Sequence, residues 1–256
     1  MNAPVVIIGL GQLGRVFAGG FLRAGHPVFP VNRGDDMDAL AASMGEPALV
    51  LVAVAEPDLH PVLAALPPRW RERVGLIQNE LLPRDWQSHG IVRPTVAVVW
   101  FEKKAGTDAK PLLPTPVQGP AAQAVVRALT AIGLPARGLA TEAERDYELV
   151  RKNLYILTTN IAGLLTGGSV GDLWAQHRPL AEDVAQEVLE VQETLTGRPL
   201  DRARLMQGLI EAIEADPQHA CRGRSAPDRL RRLLAHAEAA GLAVPKLREI
   251  AAAVFA

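Results

Sequence analysis

The chain has 256 residues, 48% hydrophobic content, and 27 basic against 28 acidic side chains, a net charge of −1 with histidine neutral. This length supports a sizeable core and two domains and excludes general disorder, and the balanced charge offers no global attraction to nucleic-acid phosphates or anionic lipid. The lone Cys221 excludes an internal disulfide, and the six histidines lack the spacing of a structural metal site.

The most apolar run, Ala48 to Ala55, is far shorter than the ~18 residues of a membrane span. No basic segment precedes the apolar start at Val5, so a cytoplasmic protein is expected. Short β-rich runs alternate with helical patterns up to about residue 100, which predicts parallel βαβ units. Val5 to Ile8 forms the first strand, and a helix opens near Gly11, turns Val16, Phe17, Phe21 and Leu22 to the sheet and stops at Gly25. Pro27 to Val31 is the second strand, Asp36 to Met44 a short helix, Ala48 to Val54 a buried strand and Pro57 to Leu66 a helix. Val74 to Gln78 and Thr95 to Phe101 complete the strands.

From Lys103 to Pro120 the prolines predict loop and edge strand, with central strand excluded. A helix over Ala121 to Ile132 and a short strand over Leu134 to Arg137 follow. Thr141 and Glu144 then fit a capping box, and apolar residues recur at helical spacing until Gly167-Gly168. Further helices are expected near 179–196, 199–214, 227–240 and 244–255. The pattern predicts an α/β fold: a Rossmann-type dinucleotide-binding domain over 1–140 followed by an all-helical substrate and dimerisation domain over 141–256. The crevice between them is the expected site.

Gly9-Leu10-Gly11-Gln12-Leu13-Gly14 is a GxGxxG loop between a predicted strand and a predicted helix. In that context the glycines permit a tight turn, close backbone approach to a pyrophosphate and close helix–strand packing. The second strand ends in Asn32-Arg33, without the acidic residue that serves an NAD ribose. Asn32 would bond the adenosine and Arg33 a 2′-phosphate, so NADP is favoured over NAD. Alternatively Arg33 is a solvated arginine and Asp35 or Asp36 serves the ribose.

Lysines stand only at 103, 104, 110, 152 and 246, leaving 22 arginines. Lys152 and Asn160 lie on one apolar helical run, roughly 80° and 12 Å apart, and so border one groove. An ammonium there stabilises the negative oxygen left by ketone reduction and donates its proton, while amides hold the substrate. The bland alternatives are a surface pair of Lys152 with Glu148 and a satisfied helix-contact role for Asn160.

Together with Gln78-Asn79 and the run Gly168 to Leu173, these residues resemble ketopantoate reductase, a family related to the 6-phosphogluconate dehydrogenase-like proteins. The resemblance implies NADPH-dependent reduction of 2-dehydropantoate to pantoate, with Lys152 catalytic, Asn79 beside nicotinamide and substrate, and Asn160 on the substrate. Glu80 replaces the usual glycine after Asn79, Ile156 an asparagine, and Ala55 a phosphate-binding lysine. The family's C-terminal substrate-binding glutamate is absent. Asp228, the nearby carboxylate, either substitutes for it on the substrate or charges the first turn of a helix after Pro227. The expected function is therefore NADP-dependent reduction of a small 2-keto acid by a homodimer. The alternatives are a hydroxyacid or opine-type dehydrogenase and a non-catalytic NADPH-binding protein.

Overall fold

The computed structural model describes residues 2–255. Two compact units divide the chain, one ending at Leu149 and the other beginning at Val150. In the first, strands β1 (Val5–Ile8), β2 (Val28–Val31), β3 (Leu49–Val52), β4 (Val74–Leu76) and β5 (Thr95–Ala97) pair in parallel in the order β2-β1-β3-β4-β5. β1 and β3 are buried at every residue, as their unbroken apolar runs require. Helices α1 (Gln12–Arg23), α2 (Met37–Ser43), α3 (Leu59–Ala64), α4 (Pro83–Gln87) and α5 (Ala122–Thr130) belong to the same unit. Phe17 and Phe21 of α1 share one core with Val5 and Ile7 of β1 and Ala128 and Leu129 of α5. Because β2 and β3 flank β1, chain direction across the sheet reverses there, and the carboxyl ends of these strands form the usual ligand-binding edge.

Several expectations change. Leu22 is 60% exposed; it lies about 140° around the helix from Phe17 and so leaves the buried face. The expected helix from Pro57 begins as a tight 3-10 turn over Glu56–Asp58. The run from Thr95 breaks after Ala97, and Phe101–Glu102 (β6) instead pairs antiparallel with Lys110–Pro111 (β7).

The largest correction is β8 (Thr115–Gln118), which lies between β5 and β9 (Ala136–Gly138) as an interior strand despite Pro116. The proline fits because the β5 ladder covers only Val96↔Gln118 and Ala97↔Val117. Beyond it Pro116 serves only as an acceptor, from Val98 N at 2.9 Å. The Thr115 hydroxyl takes the next donor, Trp100 N at 3.1 Å.

The remaining helices are α6 (Glu142–Thr166), which crosses the junction of the units, α7 (Val170–Gln176), α8 (Arg178–Thr196), α9 (Arg202–Ala215), α10 (Ala226–Ala239) and α11 (Pro245–Phe255). The Thr141 capping box forms: Glu144 N donates to Thr141 Oγ1 at 3.2 Å, and Thr141 N to Glu144 Oε2 at 2.9 Å. α7, absent from the expected helices, starts from the Ser169–Asp172 capping box. Among the described residues no helix is long and apolar enough to cross a membrane.

In the second unit α8, α10 and α11 pack on one another. The buried Glu187 of α8 accepts the first amides of α11, Lys246 N and Leu247 N, both at 2.8 Å. Truncation would leave those amides without their charged acceptor. Glu187→Ala is therefore expected to lose about 1.5–3 kcal/mol in denaturant unfolding, and a loss below about 0.5 kcal/mol would contradict this role.

Candidate functional site

The carboxyl ends of β1, β2 and β3 surround a cleft of about 560 Å³, lined by Gly9, Gly11, Asn32, Arg33, Ala53 and Ala55 among others. Gly9 has φ +92°, and a Cβ there would stand 3.0 Å from both Ala53 O and Val54 Cγ1. A Cβ on Gly14 would fall 2.0 Å from Gly9 O, so strand and helix meet at backbone distance. Leu10 and Leu13 pack against the core, while Gln12 is exposed at the start of α1. α1 has Gly11 as its N-cap, no side-chain cap bond and no acidic residue in its first turn. A glycine cradle with uncapped helix amides suits the negative pyrophosphate of a dinucleotide.

At the adenosine end, Asn32 N donates to Asp35 Oδ2 at 2.7 Å. The Arg33 side chain is 91% exposed and 3.5 Å from Asp58 Oδ2. Asp36 caps α2 by accepting from Ala39 N at 2.9 Å, whereas Asp35 lines the cleft.

Past β4, Gln78 accepts from Ile77 N at 3.1 Å and donates to Val52 O and Val54 O at 2.8 and 3.2 Å, tying this turn to the end of β3. Asn79 Nδ2 donates to Glu56 Oε1 at 3.2 Å. Glu80, the departure from the family's glycine, has φ +62°. The turn thus adopts the left-handed conformation that favours glycine while carrying a carboxylate.

In the second unit, Lys152 is partly buried on α6, its ammonium 5.9 Å from the Tyr155 ring centre. Burial, and secondarily the Arg229 guanidinium, push its pKa down to about 7. Glu148, the expected surface partner, bonds Arg137 at 2.5 Å. Asn160 is buried, accepting from Arg229 Nη1 at 2.5 Å and donating to Cys221 O at 2.8 Å. Arg229 therefore faces Asn160 and acts on the charge of Lys152.

Asp228 is placed elsewhere. It is exposed in the first turn of α10 and bonds Arg231 at 2.8 Å, as the helix-charging alternative expects. Sequence reasoning passed over Arg229, although a signal was present. Ala226, Arg229, Leu233 and Ala237 recur at three- and four-residue spacing, and all four are buried, so an arginine occupies the apolar stripe of α10.

No family model matches the chain, and no curated protein matches it by sequence. Among solved structures, a PanE/ApbA family ketopantoate reductase from Ralstonia eutropha JMP134 is 20% identical with a TM-score of 0.64, over 98% of this chain and 97% of that one. A D-mandelate dehydrogenase with NADH and anilino(oxo)acetate is 13% identical with a TM-score of 0.69, and a dimeric ketopantoate reductase from Staphylococcus aureus is 14% identical with a TM-score of 0.68. Both of these cover 98% of this chain and 97% of theirs. The fold is that of the ketopantoate reductases.

The backbone at Glu80 yields a stability test. Glu80→Gly is expected to match the parent or gain up to about 1 kcal/mol in denaturant unfolding, whereas Glu80→Val should lose about 1–2 kcal/mol, since a branched side chain fits φ > 0 worst. Equal stability of the two variants would show that the turn is not held in this conformation.

Proposed function

We propose that the protein is an NADP-dependent oxidoreductase that reduces a small 2-keto acid to the 2-hydroxy acid, with Lys152 as general acid. The observation that carries this reading is an ammonium pushed down to about 7 on the same helix as a buried, oriented asparagine. Gly9, Leu10, Gly11, Gln12, Leu13, Gly14 and the first turn of α1 would hold the pyrophosphate. Asn32 and Arg33 would take the adenosine ribose and its 2′-phosphate. When bound, NADPH supplies the hydride. Lys152 Nζ gives its proton to the substrate oxygen, so the alkoxide charge is neutralised as it develops. Asn160 and, from the resemblance, Asn79 position the substrate.

Ile156, buried where the resemblance expects an amide, favours an apolar chain over the hydroxylated chain of ketopantoate. The exposed, paired Asp228 takes no part in this reading. Because Lys152 is near neutrality, its deprotonated form is also available as a base, which supports hydroxyacid oxidation by the same groups in reverse. The dimeric neighbour supports a homodimer as the working assembly.

The cofactor assignment rests on Arg33. Arg33→Ala is expected to weaken NADPH binding by about ten- to a hundredfold in titration calorimetry and to leave NADH nearly unchanged; equal losses would show that Arg33 does not read the phosphate.

Lys152→Ala should lower turnover by about a hundredfold or more with NADPH affinity retained, and Lys152→Arg should not restore it. The acid must be protonated, so keto-acid reduction should fall as pH rises through about 7, while hydroxy-acid oxidation should rise over the same interval. A reduction rate that is flat across this interval in the parent, or parental turnover by the arginine variant, would remove Lys152 as the acid.

A further inference from the structure

The cation assigned to the cofactor's 2′-phosphate already faces an anion of its own chain. Arg33 Nη2 lies 3.5 Å from Asp58 Oδ2, and both residues line the cleft of the first unit. Arg33 follows β2, and Asp58 closes the 3-10 turn after β3. With β1 between those strands, the pair joins the two sides of the cleft. Asp35 and Asp36, also at this end, are engaged by backbone, Asp35 accepting from Asn32 N at 2.7 Å and Asp36 from Ala39 N at 2.9 Å. Asp36 and Asp58 both stand at the N-cap of a helix, but the Asp58 side chain makes no cap bond to α3. Pro61 occupies the third position of α3 and has no N–H for a cap to accept. The Asp58 carboxylate is left to Arg33.

An ion pair between solvent-exposed side chains is weak, so a stronger anion displaces it. A phosphate monoester carries about −1.5 to −2 charge near neutrality and offers more acceptors than a carboxylate, so it takes the guanidinium over. Asp58 then remains beside the phosphate as an uncompensated like charge. A dinucleotide without that phosphate leaves the pair intact and meets neither cost. We propose that Asp58 sets the margin between NADPH and NADH by contesting Arg33 with the 2′-phosphate. This rests on the cofactor reading above and adds to it the residue that limits the preference. Asp58 acts on cofactor choice and has no part in the proton transfer.

The experiment is titration calorimetry of the intact protein with NADPH and with NADH, on the parent, Asp58→Asn, Asp58→Glu, Arg33→Ala and the variant carrying both Asp58→Asn and Arg33→Ala. Asp58→Asn should tighten NADPH about three- to tenfold and leave NADH within about twofold of the parent. Asp58→Glu keeps the charge and should hold NADPH near the parental affinity. In the Arg33→Ala background the gain from Asp58→Asn should shrink by about twofold or more, because the contested guanidinium is gone. Asp58→Asn should unfold at the parental denaturant concentration, since the side chain caps nothing. Unchanged NADPH affinity in Asp58→Asn, or equal tightening of both cofactors, would overturn the role of Asp58, and selective weakening of NADPH by Arg33→Ala would then leave the cofactor assignment standing. Equal losses of the two cofactors in Arg33→Ala would reject the cofactor assignment and this role together.

Discussion

The charge of one lysine on α6 is opposed from two directions: protein replaces much of its water, and the guanidinium of Arg229 repels it. Both effects favour the neutral amine, and together they bring Lys152 to about 7, where it exchanges a proton readily at neutral pH. The chemistry proposed for the protein follows from this constraint. A solvated surface lysine would hold its proton too firmly to act as an acid at neutral pH. The surrounding polar contacts are directional. The Asn160 amide is fixed at both ends, and Asn153 donates to Gln192 at 3.1 Å inside the same bundle. Apolar residues fill much of the rest, with Leu154, Tyr155, Ile156, Leu157 and Ile161 all buried.

The first unit poses a different problem, since the cofactor proposed for it would have its pyrophosphate held by backbone rather than by side-chain charge. Gly9 and Gly14 let strand and helix meet at backbone distance, and Gly11, the N-cap of α1, lines the cleft. The turn after β4 is tied to β3 through Gln78, so the ends of neighbouring strands are braced together. In the proposed reading Arg33 would contribute the charge that this cradle otherwise lacks; its side chain is 91% exposed. Ala55 lines the same cleft and supplies no charge, so the proposed preference for NADPH rests on Arg33.

Much of this was legible in the sequence wherever a local rule and the tertiary context agree. Val5–Ile8 and Leu49–Val52 read as buried strands because each is apolar throughout, and the Thr141 capping box announced α6. Pro116 misled because the rule against proline inside a sheet concerns the missing donor, and the short ladder of β8 never asks for that donor. Asp228 and Arg229 are the instructive pair. Adjacent in sequence, they fall on different faces of α10 because the helix turns about 100° per residue. The carboxylate is the exposed residue, and residue type alone does not set the buried arginine on the apolar stripe apart from the other arginines of the chain. Glu80 shows a further limit, since only the backbone angle reveals that a glutamate here holds a conformation that favours glycine.

The proposed chemistry requires Lys152 to lose its proton near neutral pH. Lysine side-chain NMR tests it directly, because the chain has lysines only at 103, 104, 110, 152 and 246 and the Lys152 signal is assigned by its loss in Lys152→Arg. This signal should titrate at about 7 in the parent and shift upward in Arg229→Gln. Titration at about 10, the ordinary range of a solvated lysine, would contradict it.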